Sequence, residues 1–415
     1  MMAYYLLVRA WLHLGTTDFT VRALSAILGV ATMFAIYAVG KRLFSPQAGL
    51  IAALLLAVNA CHVAYSQEAR SYALLLLLCT LSMLTFINAV EHSTTRNWLL
   101  YVLVTAPAVY TQFLAGLFIA AQWASLVFFP RRALDVKRLS LSALLLAILL
   151  SPAVWIVLHK DAGQLQFIRH VSLLDLYHLL SFLTSYGGKT YGAFLAVIYV
   201  AGVGASLALF SAAWSHGRQS IESWRMALLL NCLVTPVLLN ISISYLGKPM
   251  FFYRYLLICL PALILLVARG FCRLPSQRLV AIGLAVTCTF SLLTVWRYYA
   301  IPKENWRTAT QYLLDKNKPE DTVVFYPWWA YQPLDYYQGQ FHAPPHTLHT
   351  IPAQFYSAHP PEPHSAAVWL ISNRQDAYIQ SVRDSLSRTF PYHQERRYDG
   401  PILVEEYSNQ DSEAH

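Results

Sequence analysis

Ten apolar stretches govern what this chain can fold into, most of them close to the ~20 residues that a helix needs to cross a bilayer. They lie near residues 20–40, 47–63, 71–90, 97–110, 112–129, 139–158, 190–213, 226–246, 251–268 and 278–298. A water-soluble core has no room for so many uninterrupted apolar helices, whereas hydrocarbon stabilises them. Only Tyr110-Thr111-Gln112 separates the fourth stretch from the fifth. Pro107, Pro152, Pro236 and Pro261 fall inside spans, which membrane helices tolerate where neighbours satisfy the freed carbonyls. Composition agrees: 57% of the 415 residues are apolar and 12% are charged, against roughly a quarter charged in soluble domains. The mean hydropathy is +0.43. These values exclude a disordered chain and argue against a soluble enzyme. The expected class is an all-α polytopic membrane protein.

The charges are unevenly spread. Residues 300–415 hold 14 of the 21 acidic residues but 9 of the 30 basic ones. The basic excess therefore belongs to the loops of the apolar part, where it reports topology rather than a nucleic-acid footprint. The loops around 41–46, 91–97, 130–138, 214–225 and 269–278 carry 12 Lys and Arg, and the alternate set carries 6. By the positive-inside rule the first set is cytoplasmic. Parity then places both the N-terminus and the C-terminal region outside. Residues 1–14 show no basic n-region and no small-residue cleavage site, so an upstream crossing is expected, with the sequence starting part-way through a longer product. The six cysteines lie in or beside apolar runs without CxxC spacing, which favours buried small hydrophobes over a disulfide framework.

Beyond residue 299 the pattern changes, giving two expected domains: 1–299 in the membrane, and 300–415 as a small extracytoplasmic α/β domain. Residues 305–316 read as an amphipathic helix, 322–326 and 367–372 as strands, 376–387 as a helix and 402–406 as a last strand. Residues 328–363, rich in Pro, His and aromatics, read as a long loop. Trp306-Arg307 reads as an interfacial anchor.

Few acids face outward in the membrane part: Asp18, Glu68, Asp161 and Asp175. Glu68 lies in Tyr65-Ser66-Gln67-Glu68-Ala69-Arg70-Ser71-Tyr72, a polar octet between two apolar helices. Ionisable groups at membrane depth are costly and mark functional sites, and an Arg fork pairs two phosphate oxygens. Glu68 is the candidate catalytic carboxylate, with Gln67, Arg70 and Tyr72 as substrate-binding candidates. A structural Glu–Arg clasp across the turn is the plainer role for the same residues. A second cluster, Lys248-Pro249-Met250-Phe251-Phe252-Tyr253-Arg254-Tyr255, offers Tyr253 and Arg254 as lipid-phosphate contacts or as ordinary belt residues. A third lies in loop 159–189, where Arg169 and His170 precede an interfacial helix over 173–183 that either rests in the headgroups or gates a lipid entrance. His342, His346, His349, His359 and His364 crowd the C-terminal loop. With no acid or Cys in register they yield no metal-ligand set. P-loop, GxGxxG, GxSxG and HExxH motifs are absent from the sequence.

These residues carry a family resemblance. Tyr4-Tyr5-Leu6-Leu7, Arg22, Ser25, Gly40-Lys41-Arg42-Leu43-Phe44 and the octet resemble bacterial family 39 glycosyltransferases of the GT-C superfamily, the protein-mannosyltransferase-like and aminoarabinose-transferase-like enzymes. Tyr253-Arg254-Tyr255-Leu256-Leu257, Pro261, Asn305-Trp306-Arg307 and Asp321 extend the likeness. The resemblance implies about a dozen membrane helices in a bacterial inner membrane with an external C-terminal domain. It also implies a polyprenyl-phosphate sugar as donor, an external lipid, glycan or protein acceptor, and inverting displacement at the anomeric carbon. No cofactor is assigned, although the family sometimes holds a divalent metal ion. In the family the catalytic acid lies in a first external loop that would precede Met1-Met2-Ala3. The resemblance therefore carries Glu68 and Arg70 over as lipid-phosphate or acceptor-side residues and assigns the principal base to no residue present. Two other readings stand beside the transferase: a catalytically inactive GT-C relative, and a transporter or flippase of a lipid-linked glycan. The latter predicts internal repeats of span pattern.

Overall fold

The computed structural model describes residues 2–159, 171–188, 190–215, 220–246, 251–301, 303–344, 347–356 and 367–409. The chain divides into two compact units, Met1–Tyr298 and Tyr299–His415.

The first unit is helical. Its helices are α1 Met2–Trp11, α2 Asp18–Leu43, α3 Pro46–Ala57, α4 Ala60–Tyr65, α5 Tyr72–Glu91, α6 Thr95–Thr111, α7 Ala115–Ala124, α8 Val136–His159, α9 Leu173–Ser185, α10 Thr190–Ser215, α11 Ile221–Leu246, α12 Leu260–Phe271 and α13 Gln277–Ala300. A 3-10 segment, Tyr253–Cys259, leads into α12. All ten apolar stretches are mainly helical, the second broken at Val58-Asn59 into α3 and α4. Among the described residues, seven helices are long and apolar enough to cross a membrane by length and composition. The three others are shorter: α3, α6, and α7 with the 3-10 turn Ser125–Phe128. Polar caps set the helix starts. Thr17, Ser45, Asn59 and Thr94 each accept a hydrogen bond from a backbone N–H three residues on, satisfying a donor that the first turn leaves open.

The path Leu256–Ala268 through the 3-10 segment and α12 is buried throughout, so this span is the core about which the others pack. Lipid gives no hydrophobic drive for helix association, so close approach and polar pins hold the bundle together. At the α2–α3 crossing a Cβ on Gly40 would lie 2.7 Å from the Gly49 Cα, so only glycine admits this contact. Between α5, α6 and α7, Gln122 Oε1 accepts from Tyr101 (2.9 Å), Gln122 Nε2 donates to Ser82 (3.1 Å), and Ser82 meets Thr105 (2.8 Å). Glu91, at the end of α5, pairs with Arg42 at the end of α2 (2.6 Å) and Arg225 near the start of α11 (2.7 Å). Helix direction then fixes the sides. The start of α5, the end of α11 and the Tyr253–Cys259 segment all lie at the face opposite these arginines, ~30 Å away for a helix of this length.

The second unit contains α14 Trp306–Lys316, β1 Thr322–Tyr326, α15 Tyr331–Gln340, β2 Thr350–Pro352, α16 Ala353–Tyr356, β3 Ala367–Ser372, α17 Ala377–Thr389, β4 Tyr392–Arg397 and β5 Leu403–Ser408. The strands form one mixed sheet of order β2-β1-β3-β5-β4. β1 runs parallel to β2 and β3, and β5 antiparallel to β3 and β4. Period-2 alternation feeds two cores: Val323, Phe325, Trp369, Ile371 and Val404 on one face, Val324, Val368, Leu370 and Tyr407 on the other.

Two expectations are corrected. The stretch after Trp328 is not a long loop: it holds α15, β2 and α16 among the described residues. Pro333 is accommodated because it sits in the first turn of α15, where its missing N–H is not needed. Trp306 is no interfacial anchor. It is 6% exposed in the core formed with Ala309, Leu313 and Trp369, and its indole N–H donates to Glu304 (2.6 Å).

Candidate functional site

The polar octet is a tight corner between α4 and α5. Ser66 closes α4, its hydroxyl donating to the His62 carbonyl (2.7 Å), and the Arg70 N–H bonds the Glu68 carbonyl (2.8 Å) across the turn. Asn59 caps α4 and also donates its amide to the Leu183 and Thr184 carbonyls (2.9 and 3.4 Å). That buried amide ties the corner to the end of α9. The Tyr65 ring then meets Tyr72 (4.7 Å between centroids), Tyr186 (5.9 Å) and Phe182 (6.1 Å). Phe182 touches Tyr253 (6.2 Å). The result is an aromatic floor drawn from α4, α5, α9 and the segment before α12.

Charged groups stand on this floor. Glu68 and Arg70 approach to 4.0 Å with side chains 30% and 49% exposed, too far for a hydrogen bond. The Arg70 guanidinium lies 5.3 Å from the Tyr72 ring centre, and that of Arg254 lies over Phe252 at 4.4 Å. Glu68 and Arg254 both act electrostatically on the phenols of Tyr65 and Tyr186. Glu68 Oε2 and Ser71 Oγ are buried without a hydrogen-bond partner. The buried Tyr72 hydroxyl faces Arg254 without a well-formed bond. Native proteins rarely leave such atoms unpaired, and here three fall within five residues.

The site candidates separate accordingly. Glu68, Arg70 and Tyr72 share the corner, with half-buried Gln67 in the same turn, and Arg254 joins them from a distant part of the sequence. Tyr253 is turned otherwise: its hydroxyl donates to Asp175 Oδ1 at 2.6 Å. Asp175 Oδ2 accepts from the Ser172 N–H and hydroxyl (2.7 and 2.8 Å), the capping box that starts α9. The Tyr253 hydroxyl first, then the Ser172 N–H, hold the Asp175 carboxyl below the usual range. A carboxylate with both oxygens engaged is a weak base and a strong tether. Arg169 and His170 lie outside the described residues, as do Lys248, Pro249 and Met250. Tyr65, Tyr186, Asn59 and the Asp175 tether are additions that the sequence did not point to as a group. Ser172-x-x-Asp175 before an apolar run was a readable cap signal, whereas nothing local marks Tyr186. No group of three or more His, Cys, Asp or Glu among the described residues has a metal-binding arrangement.

This fold is shared with solved structures of two other proteins. The chain superposes on ArnT from Cupriavidus metallidurans in the apo state with a TM-score of 0.57 at 11% identity, covering 98% of this chain and 87% of that one. On the archaeal oligosaccharyltransferase AglB from Archaeoglobus fulgidus, in complex with an inhibitory peptide and a dolichol-phosphate, the TM-score is 0.53 at 13% identity, over 89% of this chain and 61% of that one. In sequence, residues 1–156, which include the octet, match the dolichyl-phosphate-mannose-protein mannosyltransferase family. No curated protein matches the chain.

Proposed function

We propose that the chain is an integral membrane glycosyltransferase that moves a sugar from a polyprenyl-phosphate donor to an external acceptor, with the octet corner as its centre. The observation that carries this reading is the cluster of unpartnered buried oxygens on Glu68, Ser71 and Tyr72 beside two guanidinium groups. Arg70 and Arg254 supply the fork geometry that suits a phosphate, and apolar helices beside them suit an isoprenoid tail. The mannosyltransferase-type match over residues 1–156 and the dolichol-phosphate bound in AglB support the same donor class. The acceptor oxygen bonds to the anomeric carbon as the bond from that carbon to the phosphate oxygen breaks. Polyprenyl phosphate leaves with the electron pair, its charge held by the arginines, and the anomeric configuration inverts. Glu68, whose Oε2 accepts no hydrogen bond although Arg70 stands 4.0 Å away, takes the acceptor's proton. Asp175 holds Tyr253 and so positions Arg254 next to it.

The test is transfer from radiolabelled polyprenyl-phosphate sugars by protein in lipid nanodiscs. Glu68→Gln and Arg70→Ala should each lower turnover by about a hundredfold while membrane insertion stays normal. Near-normal turnover in both variants would return the corner to a structural clasp. Sugar crossing the bilayer with no transfer would favour the flippase reading. Mass spectrometry of the co-purified lipid identifies the sugar.

A further inference from the structure

The second unit has its own cavity, remote in sequence from the octet. A groove of about 570 Å³ opens between α17 and the strands β4 and β5, within the size range of small-ligand sites. Its origin is a mismatch of layers. α17 buries Ile379, Val382 and Leu386 against β1, β3 and β5 and does not cover β4, all of whose residues are exposed. His393, Glu395 and Arg397 are in register with Tyr407, Glu405 and Leu403. They therefore stand beside the helix rather than beneath it, facing Gln380, Arg383 and Asp384 across the gap.

The groove's floor is a buried carboxylate. Glu405 is 1% exposed and accepts from Arg383 Nε (2.9 and 3.0 Å) and the Tyr407 hydroxyl (3.1 Å), with His393 Nε2 3.4 Å away. Arg383 also donates to Ser372 Oγ (3.2 Å). A buried ion pair contributes little to stability compared with well-packed apolar residues. What Glu405 does is fix the two groups above it, the Arg383 fork and the His393 ring. Pre-set side chains of this kind lower the entropy lost on binding. His393 lies flat on Tyr407, with 4.6 Å between centroids and 24° between planes, and with its side chain 40% exposed it offers its outer face to the groove.

We infer that this groove is a binding site for a neutral saccharide. Three carboxylates (Asp384, Glu395, Glu405) and two guanidinium groups (Arg383, Arg397) line it, so neither sign prevails. A phosphate would meet the carboxylates and a cation the arginines. Vicinal hydroxyls both donate and accept, and thus match the exposed Asp384, Glu395 and Arg397 together, above an Arg383 fork already held by Glu405, Gln375 and Ser372. The flat His393 face suits the C–H side of a sugar ring. The inference does not rest on the transferase reading, because it concerns equilibrium binding without any donor lipid.

The experiment uses the full chain in nanodiscs free of glycoside detergent. The probes are methyl mannoside, methyl galactoside and methyl N-acetylglucosaminide, followed by saturation-transfer NMR, with inorganic phosphate and an extended neutral peptide as competitors. At least one glycoside should bind, His393→Ala and Asp384→Ala should each weaken it about tenfold, and Glu68→Gln should leave it unchanged. Both altered side chains are solvent-accessible, so the fold should survive, and near-UV circular dichroism checks this. No glycoside binding, binding insensitive to both variants, loss in Glu68→Gln, or displacement by phosphate or peptide would each overturn the assignment.

Discussion

Hydrogen bonding separates the roles of the two carboxylates nearest the aromatic floor. Asp175 has both oxygens engaged, by Tyr253 and by Ser172, whereas Glu68 keeps Oε2 unpaired. Sequence alone singles out Glu68 through its polar octet but leaves the hydrogen bonding of both acids open, because a residue's partners are set by chain segments far away. In the second unit, Tyr326 donates to Asp376 Oδ2 at 2.6 Å, and Asp376 also caps α17. Burial, then the Asp376 bond, pushes the Tyr326 hydroxyl up to about 12 from 10.0, and that same bond is the chief cause holding Asp376 low. A raised folded pKa gives stability that is complete below the unfolded value and is lost as pH climbs through the folded one. Tyr326→Phe should therefore flatten the alkaline loss of stability between about pH 10 and 12. For Asp376 the sign reverses: its contribution is present above about pH 4 and is lost as pH falls through its depressed value, so the variant should also soften the acid limb. Thermal melts of the full chain across pH, read by near-UV circular dichroism, check both limbs. Unchanged limbs would mean that the bond does not form in solution.

Elements here are fixed by a few contacts between their ends. Glu91 joins the ends of α2 and α5 to the start of α11, its side chain 6% exposed and those of Arg42 and Arg225 27% and 24%. Removing the shared carboxylate leaves two cations facing each other. Glu91→Ala should cost about 3 kcal/mol, visible as a lower unfolding midpoint in detergent. An unchanged midpoint would indicate that water already satisfies the arginines and that the pair contributes little. Elements with an apolar pattern were legible: β1 and β3 fall where β-branched runs predict them, and α14 and α17 agree to within two residues at either end. The two edge strands were not. β2 has three residues including a proline, and β4 is Tyr-His-Gln-Glu-Arg-Arg without a buried face. Neither has an apolar alternation to read, and only pairing with a neighbour makes each a strand.

For the molecule, charge and helix direction give one consistent orientation. Glu91, Arg42, Arg225 and the Glu222–Arg269 pair gather at one face of the helical unit, and the octet lies toward the other. We propose from the positive-inside rule that the arginine face is cytoplasmic. We therefore expect the octet corner on the extracytoplasmic side, and the direction of α13 brings the chain out on that side near residue 300. A membrane-impermeant maleimide should label Glu320→Cys in intact cells and Arg132→Cys only after lysis, with the modified site mapped by mass spectrometry. The reverse pattern would put the corner in the cytosol, where an extracytoplasmic transferase has no substrate, and would sink the proposed function.

The amino-acid sequence by itself determined the membrane class, the helical spans, the start of an α/β region near residue 300 and the octet as the polar anomaly. Each of these is a local property: hydropathy, periodicity and charge act over a few turns of chain. Tertiary packing alone decided that Arg254 joins Arg70 and Tyr72, that Tyr253 is held by Asp175, and that α17 leaves β4 uncovered beside a groove. Those outcomes depend on which surfaces meet after the helices and strands have formed, and the spacing of residues along the chain does not encode them.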